Sequence, residues 1–68
     1  MSKIFSQKLK AYRLENKLKQ ADLANLIGVS TMAVCHWEKN DSEPDISTIN
    51  KLAKIFNISI DELIGEDN

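Results

Sequence analysis

Cys35 and His36 stand side by side in a 68-residue chain that has one cysteine and one histidine. A thiol and an imidazole are the raw material of nucleophilic catalysis and of metal binding, so their company decides what they can do. A structural zinc site needs four ligands. One Cys and one His cannot complete that set, and adjacent helical residues diverge by about 100°. Neither a metal nor a cofactor is expected. Nucleophilic catalysis needs a base held against the thiol in a pocket, and so short a chain offers neither. No enzymatic activity is expected. A redox-sensitive Cys35 would need a lowered thiol pKa, which nothing in the sequence supplies. Non-covalent recognition is what remains. Thr31 can hydrogen-bond in either sense, Met32 can touch a thymine methyl, and His36 can donate to guanine acceptors, with Cys35 on their flank.

These residues need an element that presents them. The apolar spacing predicts five helices. The first runs from about Lys3 to Asn16, with Phe5, Leu9 and Tyr12 inward and Asn16-Lys17 as its left-handed end. The second covers about Gln20 to Ile27, with Leu23, Leu26 and Ile27 inward, and Gly28 stops it. Ser30 is a good N-cap for a third helix, Thr31 to about Lys39. Taking Val34 as inward and advancing about 100° per residue places Trp37 and Ser30 on the inner side. Met32 and His36 then lie nearly opposite, flanked by Cys35 and Lys39. The turn 40–44 follows. Asp45 caps a fourth helix whose inward positions are Ile46, Ile49, Leu52, Ala53 and Phe56. Ser59 and Glu62 have capping-box spacing and open a fifth helix that Gly65 closes. Residues 66–68 are expected to fray.

The segment Gln20–Lys39 is the informative one. Two short helices meet at a glycine, Ala24 is small where the helices cross, and Val34 and Trp37 hold the outer helix to the core. The N-terminal part of that helix then projects, as entry into a DNA major groove requires.

Composition fits this reading. Hydrophobic residues make up 43% and charged residues 28%, as in an ordinary globular domain, here a single one over residues 1–68. No apolar run approaches a membrane span, and the lone cysteine suits a reducing cytoplasm. The net charge of −1 argues against a polyanionic partner, but its distribution does not. Residues 1–39 hold seven basic against three acidic side chains, and residues 40–68 two basic against seven acidic. One end can meet phosphates while the other does something else.

Residues 5–64 resemble the lambda-repressor-like or Cro-like (XRE) helix-turn-helix family. The resemblance rests on Leu18-Lys19-Gln20-Ala21-Asp22-Leu23-Ala24, Ile27-Gly28-Val29-Ser30, Val34, Trp37-Glu38, Pro44, Leu52-Ala53 and Asp61-Glu62-Leu63. It implies an all-α, compact five-helix DNA-binding domain with the motif at residues 20–39. It also implies a sequence-specific regulator of transcription, a repressor acting as a homodimer on a palindromic operator in double-stranded DNA. Base reading then falls to Thr31, Met32, His36 and Cys35. Phosphate binding falls to Gln20, Lys19, Ser30, Lys39 and Asn40, and Arg13 and Glu38 correspond to an internal salt bridge. Gln20 can equally be a plain helix-start residue. Trp37 reads as core, not as a stacking platform.

The sequence departs from the family pattern at four places. Lys19 replaces a capping Ser, so the second helix is expected to lack its usual cap. Lys17 replaces a common Gly, which strains the first turn. Asp41 replaces a Gly near the expected backbone contact and weakens the expectation of phosphate binding there. His36 replaces a more frequent Arg, Lys or Gln. The C-terminal Ile58, Ile60 and Ile64 exceed what so small a core needs and suggest a pairing surface. A rival reading stays open, in which the acidic half binds a protein partner, as in an antitoxin or anti-repressor.

Overall fold

The computed structural model describes residues 3–65, and among them it shows five α-helices and no strand. They are α1 Lys3–Glu15, α2 Gln20–Ile27, α3 Thr31–Glu38, α4 Ile46–Phe56 and α5 Ile60–Ile64. The all-α fold with the motif on α2 and α3 is the one expected. Residues 66–68, where fraying was expected, lie outside the described residues.

Every helix contributes to one core. Phe5 and Leu9 of α1 meet Leu23, Ala24 and Ile27 of α2, Val34 and Trp37 of α3, Ile49, Leu52, Ala53 and Phe56 of α4, and Leu63 of α5. The ring of Tyr12 stacks on Phe56 at a centroid distance of 5.7 Å, which joins α1 to the far end of α4. Burial of this apolar set is the main term available to hold so small a chain.

The helix ends explain why five short rods stay in register. The α1 end turns at Lys17 (φ +57°), not at Asn16, so the residue in left-handed geometry is one position later than expected. There the Leu18 N–H donates to Arg13 C=O at 3.1 Å and the Lys17 N–H to Leu14 C=O at 2.9 Å. Paired bonds of this kind need the intervening residue in the left-handed region. Asn40 after α3 and Asn57 after α4 do the same at φ +64° and +58°. At α2 the role falls to Gly28 (φ +78°), beside which an added Cβ would meet nothing within 4 Å. Gly28 is thus favoured by its backbone angle alone, not by crowding.

At their starts, Ser30, Asp45 and Ser59 accept from the N–H groups of Ala33, Thr48 and Glu62. The Glu62 carboxylate accepts in return from the Ser59 N–H, completing the expected capping box. Lys19 has no side-chain acceptor and makes no such cap, as expected. The missing group is partly replaced from the other end, because the Asp22 carboxylate accepts from the Lys19 N–H at 2.8 Å.

Three inward assignments are corrected. Leu26 is 59% exposed and Ile46 68% exposed. Leu26 lies about 105° from the middle of the arc set by Leu23, Ala24 and Ile27, too far round to reach the core. Ile46 is the first residue of α4, a full turn ahead of Ile49, and so stands beyond the packed part of that helix. Ser30 is exposed, not inward, because as an N-cap its backbone is extended and the helical angle does not apply to it.

Candidate nucleic-acid interface

The outer helix of the motif is held by its inner face. Val34 is wholly buried and Trp37 is 7% exposed. Beyond them, Glu38 at the end of α3 is the centre of a polar clamp. Arg13 of α1 donates to it through Nε at 2.6 Å and through Nη2 at 3.0 Å, a two-pronged contact on a largely buried carboxylate. Gln20, the first residue of α2, donates through Nε2 to the same carboxylate at 3.0 Å. Arg13 Nη1 also donates to the Leu18 carbonyl at 2.8 Å, tying the clamp to the linker between α1 and α2. The hydrogen bond to Glu38 pushes the Arg13 pKa above its ordinary value, its charge reinforces that, and burial opposes both.

Arg13 and Glu38 therefore form the ion pair that the family resemblance implied. A direct signal for Arg13 lay in the sequence, since it follows Phe5 and Leu9 at four-residue steps and continues the buried stripe of α1. Gln20 was open between two roles. Its amide nitrogen is committed to Glu38, and the side chain is half-buried. Its observed role is to brace α3 from α2.

The opposite face of α3 carries the expected reading residues. Met32 is 63% exposed, Thr31 and His36 are exposed, and Cys35 is half-buried at the edge. At about 100° per residue Met32 and His36 lie on the side away from Val34, Cys35 at its edge, and Thr31 at the exposed start of the helix, about 60° from Val34. Around them, Lys19 is exposed at the start of α2, Ser30 at the start of α3, and Lys39 and Asn40 at its end. Ser30 Oγ already accepts from the Ala33 N–H at 3.1 Å, so it is a cap first. Asn40 is the residue in left-handed geometry that closes α3.

One contact of this face was not foreseen. His36 Nδ1 lies 3.5 Å from Asp41 Oδ2, with both side chains about half exposed. Asp41 reaches back because its own N–H donates to the His36 carbonyl at 2.9 Å across the Asn40 turn. The two residues are five apart, which no helical spacing rule connects.

Ile58, Ile60 and Ile64 are half-buried and packed against the core, so part of their surplus is already spent on the domain itself. Among the described residues there is no group of three or more His, Cys, Asp or Glu placed to hold a metal ion. Among those residues, too, no helix is long and apolar enough to cross a membrane.

The helix-turn-helix family model matches residues 9–63. The chain belongs to the helix-turn-helix family. Its lambda-repressor-like (XRE) type, implied by the sequence resemblance, is supported by its relatives. The helix-turn-helix chain is 36% identical over 63 residues to a Vibrio cholerae protein named cryptic phage CTXphi transcriptional repressor RstR, covering 93% of this chain and 57% of that protein. It is 30% identical over 66 residues to repressor protein C2 of Salmonella phage P22, covering 97% of this chain and 31% of that protein. It thus spans less than two thirds of either relative. The crystal structure of the P22 c2 repressor with synthetic operator 9T matches with a TM-score of 0.87 at 31% identity, over 94% of this chain and 97% of that one. The same fold also makes up 36% of the chain of HppE, solved with Fe(II) and substrate, at a TM-score of 0.83 and 30% identity.

Proposed function

We propose that this protein binds double-stranded DNA in a sequence-specific manner and regulates transcription, as a repressor that occupies a palindromic operator as a homodimer. The reading is carried by one observation. A methionine, a threonine and a histidine stand exposed on a helix whose other face is locked by Val34, Trp37 and the Arg13–Glu38–Gln20 clamp. A rigid rod with an adaptable outer face suits major-groove entry, where base edges are told apart by hydrogen bonds and by the thymine methyl. The likeness to a repressor solved on its operator supports the same reading.

In this proposal Thr31, Met32, Cys35 and His36 face base edges. Lys19, Ser30, Lys39 and Asn40, with the remaining donor capacity of Gln20, face phosphates. In this proposal the protein acts in the cytoplasm, by occupancy and without catalysis. Pairing raises an affinity that one small module cannot supply. Half-sites one turn apart sit about 34 Å from centre to centre. The described part measures 32 × 24 × 21 Å, so two copies fit side by side at that spacing. The exposed portions of Ile58, Ile60 and Ile64 are the proposed pairing surface.

A titration against random duplex and against selected duplex at two salt concentrations tests this reading. Each phosphate neutralised contributes about −0.9 to the slope of log affinity on log salt, so binding by several cations must weaken steeply with salt. Salt-independent binding, or none, would overturn it.

A further inference from the structure

His36 differs from the other exposed residues of α3 in having a carboxylate beside one of its ring nitrogens, 3.5 Å away. Building on the DNA-reading role above, we propose that Asp41 is a positioning residue that decides which kind of base edge His36 reads. The neutral imidazole carries one N–H and one lone pair, and whichever nitrogen faces an acceptor keeps the proton. Asp41 lies on the Nδ1 side, so its charge favours the proton there and leaves Nε2 free to accept. An acceptor on the reading face matches the exocyclic amines, N4 of cytosine or N6 of adenine. Without Asp41, the ring is free to present Nε2–H, a donor, which matches guanine O6 or N7. The sequence alone, by contrast, suggests a donating His36.

The backbone makes this arrangement durable. Asn40 in left-handed geometry and the Asp41 N–H bonded to the His36 carbonyl hold the Asp41 backbone against the last turn of α3, which keeps its short side chain within reach of His36. Glu38 is engaged by Arg13 and Gln20 on the inner side, Lys39 has no acceptor, and Cys35 lies at the edge of the face. An exposed contact of this kind is modest, equivalent to about a two- to fivefold bias. Asp41 also sets a negative charge where phosphates approach, so it costs general affinity while it directs the base choice.

The test compares the 68-residue chain with Asp41→Ala, which keeps the backbone N–H and therefore the turn. Selection from a random duplex pool at pH 8 reads the base choice. Nitrogen-15 NMR of the His36 ring without DNA reads the tautomer. The expected result is a parent that enriches adenine or cytosine at one position and shows raised Nδ1–H. In Asp41→Ala that preference should shift about two- to fivefold toward guanine, Nε2–H should gain, and binding to random duplex should strengthen. In a His36→Ala background, Asp41→Ala should leave base preference unmoved. If the parent selects a sequence but either the tautomer or the base choice is the same in Asp41→Ala, the assignment fails and the DNA reading stands. If the parent selects no duplex, both fail.

Discussion

The two faces of α3 are built from the same eight residues and answer to different demands. Val34 and Trp37 are buried among other helices, and Glu38 beside them is bound from two directions. Thr31, Met32 and His36 are exposed, and one of them is a large apolar residue left in the open. Stability pulls such a methionine inward, since burying it is worth about 1.5–3 kcal/mol. Leu26 and Ile46 are exposed to a similar degree, so what sets Met32 apart is its place on the proposed reading face of a helix whose other face is held. The comparison teaches that rigidity and recognition are divided between faces of one rod, so changes on each should separate cleanly in experiment.

The largest effect should come from the anchored side. Glu38→Ala leaves Arg13 buried without its carboxylate and removes the Gln20 brace, and breaking a buried pair costs about 3–5 kcal/mol. For a domain whose total stability is of order 5–15 kcal/mol, urea melts should show a large loss or outright unfolding. A Glu38→Ala protein that melts like its parent would mean that the clamp does not hold the rod. A smaller contrast lies at the corners. Gly28→Ala should cost about 1–2 kcal/mol from the left-handed backbone alone, because no atom crowds the new Cβ. Lys17→Gly, at the same kind of backbone position, should gain about 0.5–1 kcal/mol. Chemical denaturation of the two variants checks both signs at once.

The smallest effect is pH-dependent and lies away from α3. Bonds from Thr48 hold the Asp45 carboxyl below its ordinary pKa. A carboxylate with a depressed folded pKa stabilises the fold above its unfolded pKa and loses that contribution as pH falls through the folded value. The parent should therefore lose part of its thermal stability on acidification to about pH 3, below the ordinary Asp value. Asp45→Asn, which caps nearly as well but does not titrate, should lose less. Base preference measured at neutral pH should be the same in both, since this cap belongs to neither face of the reading helix.

Much of this could be read from residue types. Val34 fixed the inward direction of α3, and one step of about 100° per residue placed Met32 and Trp37 on the sides where they are found. Ser30, Asp45, Ser59 and Gly28 signal helix ends by chemistry that is local to them. What escaped is what depends on distance in space or on the limits of a short helix. Leu26 and Ile46 are apolar and near a helical rhythm, yet α2 and α4 have no neighbour over those positions. The Gln20–Glu38 bond spans eighteen residues, and the His36–Asp41 contact exists because Asn40 turns the chain back on itself. The bond from the Lys19 N–H to Asp22 is less legible, because Lys19 lacks the side-chain acceptor that marks a capping box.

Parallel selections from a random DNA pool test whether the open face of α3 reads bases. Parent, Met32→Ala and His36→Ala proteins would be selected side by side, with circular dichroism melts on each. Both variants should keep the parent's melting curve to within about 0.5 kcal/mol. Each should lose about 1–3 kcal/mol of discrimination at its own base position. Variants that select the parent's sequence with undiminished stringency would move the reading surface off this helix.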